Sequence, residues 1–283
     1  MTATAAVAKR IVVAGGSGFL GKITLIYKQY SMVSEYRHGE PKWDTVSPSG
    51  QAPRWAQKVE WAKADLLDPS SYNEHLKNAS AVVHSMGIIL EADYKGILQG
   101  KESPITGIQK MVGSFAGVTT GPGKSQMTYR TMNTESANSI ASTAISLAKK
   151  TTKENIPTFV YISASSGAPI IPQGYILSKR EAESSIMSMF PNLRSIFVRP
   201  TFMYDSSRRL SLPIAVGGMI ASEVNLLTGG KLSALGSMAE KPLKVSVVGE
   251  AVVESIDDSD VDGVVSPKKI EDLATKGWRK TML

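Results

Sequence analysis

The chain contains no cysteine, which removes disulfides, thiolate zinc sites and a thiol nucleophile from consideration. Histidine is scarce as well. His38, His75 and His84 are too few and too dispersed for a His-only metal site, so no metal is expected. Long apolar runs are missing. The most apolar stretch, "LSLPIAVGGMIA" at 210–221, is interrupted by a Pro and two Gly. That rules out a spanning helix, which needs about 20 apolar residues. The stretch reads instead as core or a loop–helix junction, with shallow interfacial contact as the alternative. Long charge runs are lacking too. The 32 Lys+Arg outweigh the 25 Asp+Glu by 7, but the densest clusters are mere pairs at 149–150, 208–209 and 268–269. Such dispersal gives no nucleic-acid-binding arm. The excess suits an anionic cofactor, an anionic substrate or a membrane surface.

What is present is a rhythm of strands and helices. The 283 residues, 42% hydrophobic and 20% charged, are enough for one large α/β domain with a small appendage. Short apolar runs at 10–15, 58–66, 79–87, 158–165 and 194–200 read as buried parallel strands, and "SMVSEY" as the second strand in chain order. Between them, residues 133–150 place Ala137, Ile140, Ala141, Ala144, Ile145 and Ala148 on one helical face. Strands alternating with helices predict a Rossmann-type, doubly wound parallel sheet. Two stretches, 39–57 around Trp43 and Trp55 and the glycine-rich 99–125, read as long loops of the kind that serve as lids or contact surfaces. The acid-free opening "MTATAAVAKR" is compatible with a mitochondrial address. A first strand beginning near Lys9 nevertheless leaves too little chain for an ordinary cleaved presequence.

The stretch "VVAGGSGFLGK" at 12–22 leads out of the first strand, with Gly15, Gly18 and Gly21 spaced three apart. Gly15 supplies the freedom for a tight turn. Gly18 lets a pyrophosphate approach the backbone, and Gly21 lets the next helix pack on the sheet with its N-terminus facing the phosphates. A glycine triplet alone is weak evidence; its place between an apolar strand and a continuing βαβ rhythm makes it a dinucleotide-binding signature.

The triplet, closing in "GFLG", resembles the short-chain dehydrogenase/reductase superfamily in its extended and atypical branches. So do "KADLLDP", "HSMG" at 84–87, Asn133 at the start of the long helix, "YISAS" at 161–165, "GYILSKREAE" at 174–183 and "VRPTFMYD" at 198–205. The resemblance spans about residues 10–205. It implies an NAD(P)-binding domain over 1–205 and a small substrate or partner lobe over 206–283. Phe19 and Leu20 join the glycines as cofactor contacts, Asp65 and Leu66 meet the adenine, and His84 and Gly87 line the nicotinamide ribose. Pro200 closes the cofactor side. Tyr175 and Lys179, one helical turn apart, would share a cleft as general acid or base and its activating cation. Ser163 would hold the substrate oxygen, with Ser165 the alternative, and Asn133 would order a water relay. Near the end of the second strand, Glu35 would receive the ribose hydroxyls of NAD and Arg37 the 2′-phosphate of NADP. Aligning "YRHGEP" with the "SRSGEP" of the family favours Arg37, and so NADP(H) over NAD(H).

Within that superfamily the chain is most similar to the fungal mitochondrial branch of coenzyme Q biosynthesis. The stretches that carry this are "GGSGFLGK", "WAQKVEWAKADLLDPSSY", "VVHSMGIILE", "YISASSGAPIIPQGYILSKREAE" and "VRPTFMY". Next comes the nucleotide-binding accessory subunit of respiratory complex I. Both branches imply the matrix face of the mitochondrial inner membrane. Three functions are expected from them: an oxidoreductase on a quinone-ring or polyprenylated precursor, a non-catalytic subunit of the coenzyme Q biosynthetic complex, or an accessory subunit of complex I. The implied partners are coenzyme Q biosynthetic proteins and a membrane surface or quinone lipid, with no nucleic acid.

Overall fold

Seven parallel strands form one sheet. The computed structural model describes residues 10–16, 18, 20–21, 24, 31–36, 40–41, 43, 49–87, 128–151, 156–165, 172–205, 225 and 240–282. Six of the strands are those the apolar runs predict: β1 (Arg10–Ala14), β2 (Ser31–Tyr36), β3 (Val59–Lys63), β4 (Ala81–His84), β5 (Thr158–Ile162) and β6 (Ser195–Val198). A separate pair, β7 (Met203–Tyr204) with β8 (Leu243–Lys244), comes after β6.

Beyond residue 240 the chain returns to the main sheet. β9 (Gly263–Val265) lies parallel to β6, with Phe197 opposite Val264, which completes the strand order β3-β2-β1-β4-β5-β6-β9. Of the span 206–283 expected as a C-terminal lobe, residues 263–265 thus pair with this sheet. Among the described residues five α-helices are bounded: α1 (Asn73–Leu76), α2 (Ser136–Thr151), α3 (Gln173–Met189), α4 (Val245–Asp257) and α5 (Pro267–Thr281).

Helices cover both faces, which is why the central strands are apolar on both sides. Ile11, Val13, Val83 and Val160 point to the face covered by Val248 and Val252 of α4 and by Ile270 and Leu273 of α5. Val12, Ala14, Val82, Phe159 and Phe197 point to the other, where α2 and α3 contribute Ile140, Ala144, Ala182 and Ile186. The predicted face of α2 is buried at all six positions. Arg194, just before β6, donates to the main-chain oxygens of Ser255, Ile256, Asp258 and Val261. It thereby satisfies carbonyls left open at the end of α4 and fastens that helix to the sheet. At the β3 edge, Trp43, Trp55 and Trp61 gather edge-to-face or tilted, their centroids 5.7 to 6.4 Å apart.

Candidate functional site

The connection after β1 runs to β2 on one side and that after β4 runs to β5 on the other, so a crevice opens beyond the ends of β1 and β4. The glycine turn stands there. Gly15 has φ +88°, and a Cβ on it would meet Ser85 Oγ at 3.0 Å. Ser85 donates its main-chain N–H and its hydroxyl to the Ala14 carbonyl, at 2.9 and 2.8 Å. The turn after β1 and the segment after β4 are thus locked together. Gly18 donates to the Gly15 carbonyl at 2.8 Å. A Cβ would stand 2.9 Å from that oxygen at Gly18 and 2.3 Å at Gly21. The turn needs both glycines to fold, before any ligand is considered, and Gly21 presses on the turn itself.

Leu20 and Leu66 are buried in the two faces of the core, so their main chains, not their side chains, are what a ligand can meet. Asp65 is exposed after β3, and its Oδ1 accepts from Leu67 N–H at 3.1 Å. Glu35 lies opposite Ala14 in the β1–β2 register. Phe19 and Arg37 lie outside the described residues.

Across the crevice α3 brings Tyr175 and Lys179 to the ends of β4 and β5. Lys179 is 3% exposed. Its ammonium donates to the carbonyls of Ile162 at 2.9 Å and Met86 at 3.4 Å. It also sits 4.7 Å from the Tyr161 ring centroid and 5.9 Å from that of Tyr175. A Cβ on Gly87 would stand 2.8 Å from both Lys179 Nζ and Asn133 Oδ1. Glycine at 87 therefore lets the main chain pass this close to the buried Lys179 ammonium and Asn133 carboxamide, with its own surface left bare.

Asn133 belongs to a π-helical turn, Arg130–Glu135, leading into α2. Such a turn frees carbonyls from the helical ladder and often marks a functional position. Here Ser136 Oγ donates to the Met132 carbonyl at 2.8 Å and Tyr161 OH to the Asn133 carbonyl at 2.8 Å. The Asn133 carboxamide donates to Ser178 Oγ at 2.9 Å, tying the turn to α3. Because Ser136 spends its hydrogen on Met132, His84 Nε2, at 2.9 Å, must be the donor to Ser136 Oγ. The His84 ring is fully buried and stacked on Tyr161. It supports the turn; its side chain presents no surface to a ligand, contrary to its expected place along the ribose.

Burial also sets the electrostatics. It lowers the Lys179 ammonium to about 7, against the opposing pull of Glu183. It raises the Tyr175 phenol to about 12, with Arg180 opposing the rise. It also lowers His84 to about 3, with Lys179 assisting, so the imidazole is neutral. Ser163, at the end of β5, accepts from Arg180 Nη1 at 2.9 Å, and Pro200, after β6, accepts from Ser165 N–H at 2.9 Å. The structure thus gathers Gly15, Gly87, Asn133, Tyr175 and Lys179 around one crevice. The sequence reading missed Tyr161, Ser178 and Arg180; nothing in their local pattern announces contacts that only the packing of α3 on β5 creates. Among the described residues there is no cluster suited to a metal ion and no helix long and apolar enough to cross a membrane.

No family model matches the chain. Over 284 residues it is 37% identical to MIOREX complex component 2 of Saccharomyces cerevisiae, covering 92% of this chain and 98% of that protein. A chloroplastic protein of Arabidopsis thaliana is 24% identical, over 95% of this chain and 78% of its own length. Among solved structures, UDP-glucuronic acid 4-epimerase from Bacillus cereus in complex with NAD superposes with a TM-score of 0.54. That match covers 90% of this chain and 76% of the other at 15% identity, a likeness of fold.

Proposed function

This chain belongs to the family of yeast MIOREX complex component 2, and on that footing we propose that it is a nicotinamide-dinucleotide-dependent oxidoreductase of the mitochondrion. Its substrate is a quinone-ring or polyprenylated precursor in coenzyme Q biosynthesis, met at the matrix face of the inner membrane beside the other proteins of that pathway. The observation that carries the reading is the bare main chain of Gly87 lying against Lys179 and Asn133 beside the glycine turn. A side-chain-free surface beside the Lys179 ammonium suits the ribose next to a nicotinamide, while Gly15 and Gly18 leave the end of β1 open to a pyrophosphate. The fold it shares with an NAD-bound epimerase supports the same ligand class.

When bound, the dinucleotide supplies or takes up the hydride. The chain's own residues do the rest. Tyr175 gives or takes the proton at the substrate oxygen, and Ser163 holds that oxygen. Lys179 holds the ribose and, with the oxidised ring, draws the buried phenol down from about 12 toward working range. Asn133 fixes the floor of the cleft. Arg37 favours NADP(H) over NAD(H).

The test is calorimetric titration of the purified protein with NADPH and NADH, then turnover with quinone-ring precursors, alongside quinone-lipid analysis of cells lacking the protein. Dinucleotide binding, turnover and an altered quinone profile are expected. A protein that binds neither dinucleotide contradicts the reading. A second reading, a nucleotide-binding subunit without turnover, draws on the relative's being named as a component of a complex. Binding without turnover, with partners co-purifying, would select it.

A further inference from the structure

Two neighbouring cations on α3 meet alternate residues at the end of β5. Lys179 lies over the Tyr161 ring, and the next residue, Arg180, reaches Ser163. Arg180 Nη1 donates to Ser163 Oγ at 2.9 Å and to Glu183 Oε1 at 3.0 Å. Its Nη2 donates to the carbonyls of Ala164, at 2.8 Å, and Ser165. All four terminal hydrogens of the guanidinium are thereby spent, three of them on consecutive residues of the segment that carries the candidate serine. Glu183, 2% exposed, is the buried anchor, and it is held from the other side by Arg199.

We propose that Arg180 is a positioning residue that fixes Ser163 as a one-way hydrogen-bond donor to the reacting oxygen of a carbonyl substrate. A serine hydroxyl has one hydrogen and two acceptor positions, whereas a guanidinium donates only and stays charged at every working pH. With Arg180 occupying an acceptor position, the Ser163 hydrogen cannot return to it. Among the described residues no acceptor takes that hydrogen. The adjacent positive charge also strengthens the O–H as a donor, and the advantage grows as negative charge develops on the bound oxygen. In the step concerned, hydride from the reduced dinucleotide adds to the substrate. The carbonyl oxygen takes up the electron pair, and the Tyr175 proton neutralises it, leaving oxidised dinucleotide and the reduced substrate. Arg180 touches none of the reacting atoms; its effect passes through Ser163. The only cation a lysine could offer is a single ammonium, which cannot span the hydroxyl and two successive carbonyls.

This role rests on the oxidoreductase reading, and the experiment separates the two. NADPH oxidation by a short-chain methoxybenzoquinone is measured for wild type, Arg180→Gln, Arg180→Lys, Ser163→Ala and the double variant Arg180→Gln/Ser163→Ala. Melting temperature and NADPH dissociation constant are recorded for each. Arg180→Gln and Ser163→Ala should each lower kcat by about 10²-fold, the size of one lost oxyanion donor, with NADPH affinity unchanged. The double variant should be no slower than Ser163→Ala alone, and Arg180→Lys should recover part of the loss. Losses that multiply in the double variant, or wild-type kcat in Arg180→Gln, would overturn the role while leaving the oxidoreductase standing. If Arg180→Gln fails to fold, full kcat in Ser163→Ala overturns it instead. No turnover in wild type, with NADPH still bound, overturns the oxidoreductase reading and this role with it.

Discussion

The hydroxyl of Tyr161 donates to the main-chain carbonyl of Asn133 at 2.8 Å, joining the end of β5 to the π-helical turn that opens α2. Asn133 is the residue expected to order a water relay, and its main-chain carbonyl thus already has a protein partner. Tyr161→Phe keeps the ring that lies under Lys179 and removes this one donor. Leaving a buried carbonyl short of a partner costs about 1–3 kcal/mol, so the midpoint of urea unfolding should fall accordingly. If the bond sets the position of Asn133, NADPH affinity should fall with it; unchanged affinity would limit the bond to a structural role.

Gly87→Ala introduces a Cβ 2.8 Å from Lys179 Nζ and Asn133 Oδ1. Both are ends of side chains, which can shift, so the melting temperature should barely change. The bare main-chain surface at Gly87 is covered. Dinucleotide affinity should drop at least tenfold, about 1.4 kcal/mol in binding free energy, as read by calorimetry. Wild-type affinity in this variant would remove Gly87 from the ligand site.

Tyr175→Phe separates catalysis from binding. The phenolic proton is lost and the ring is kept, and removal of a general acid or base costs about 10²–10⁴ in rate. In cells lacking the protein, this variant should restore quinone-lipid levels poorly while binding NADPH normally. Full restoration at native abundance would favour the non-catalytic subunit.

Burial holds Lys179 near 7 in the folded chain, against 10.5 for the free side chain. The unfolded chain then binds more protons between those values, so stability should rise as pH increases from about 7 to 9 and fall on return. Lys179→Met removes this slope. Thermal unfolding of the two proteins across that window should therefore converge at low pH and diverge in favour of wild type at high pH, once each curve is referred to its value at about pH 7. Parallel curves would mean that Tyr161, Glu183 and the surrounding carbonyls keep the ammonium charged.

Arg37→Ala tests cofactor choice. If Arg37 meets the 2′-phosphate, its loss should weaken NADPH by about ten- to a hundred-fold, the value of a charge-assisted phosphate contact, and leave NADH nearly unchanged. A wild-type preference for NADH would hand the role to Glu35.

Strands β1, β4, β5 and β6 were legible because burial on both faces writes itself as short apolar runs, and α2 because Ala137, Ile140 and Ala144 repeat at helical spacing. β9 was not. Three residues, Gly263–Val265, carry too little pattern, and their strand character comes from the waiting edge of β6. The π-helical turn at Arg130–Glu135 was invisible for another reason: the expected helix began only at Asn133, and the shift in register is stabilised by Tyr161 and Ser136, one of them distant in sequence. At the site, Tyr175 and Lys179 declare themselves by spacing. Arg180 does not, because the same spacing suits a solvated arginine, and only the packing of α3 against β5 turns it inward.

The pairing of β9 with β6 also constrains how the chain is made. Residues 195–198 leave the ribosome well before residues 263–265 exist to pair with them. During that interval β6 presents an open edge with Ile196, Phe197 and Val198 beside it, the kind of surface that recruits other strands. Nor can α4 and α5, which seal one face of the sheet, arrive earlier. Domain completion is thus a late, long-range event, slow by its topology. A truncation that deletes β9 should aggregate rather than leave a smaller working domain, and a chaperone that shields the β6 edge should matter most for nascent chains halted short of residue 263.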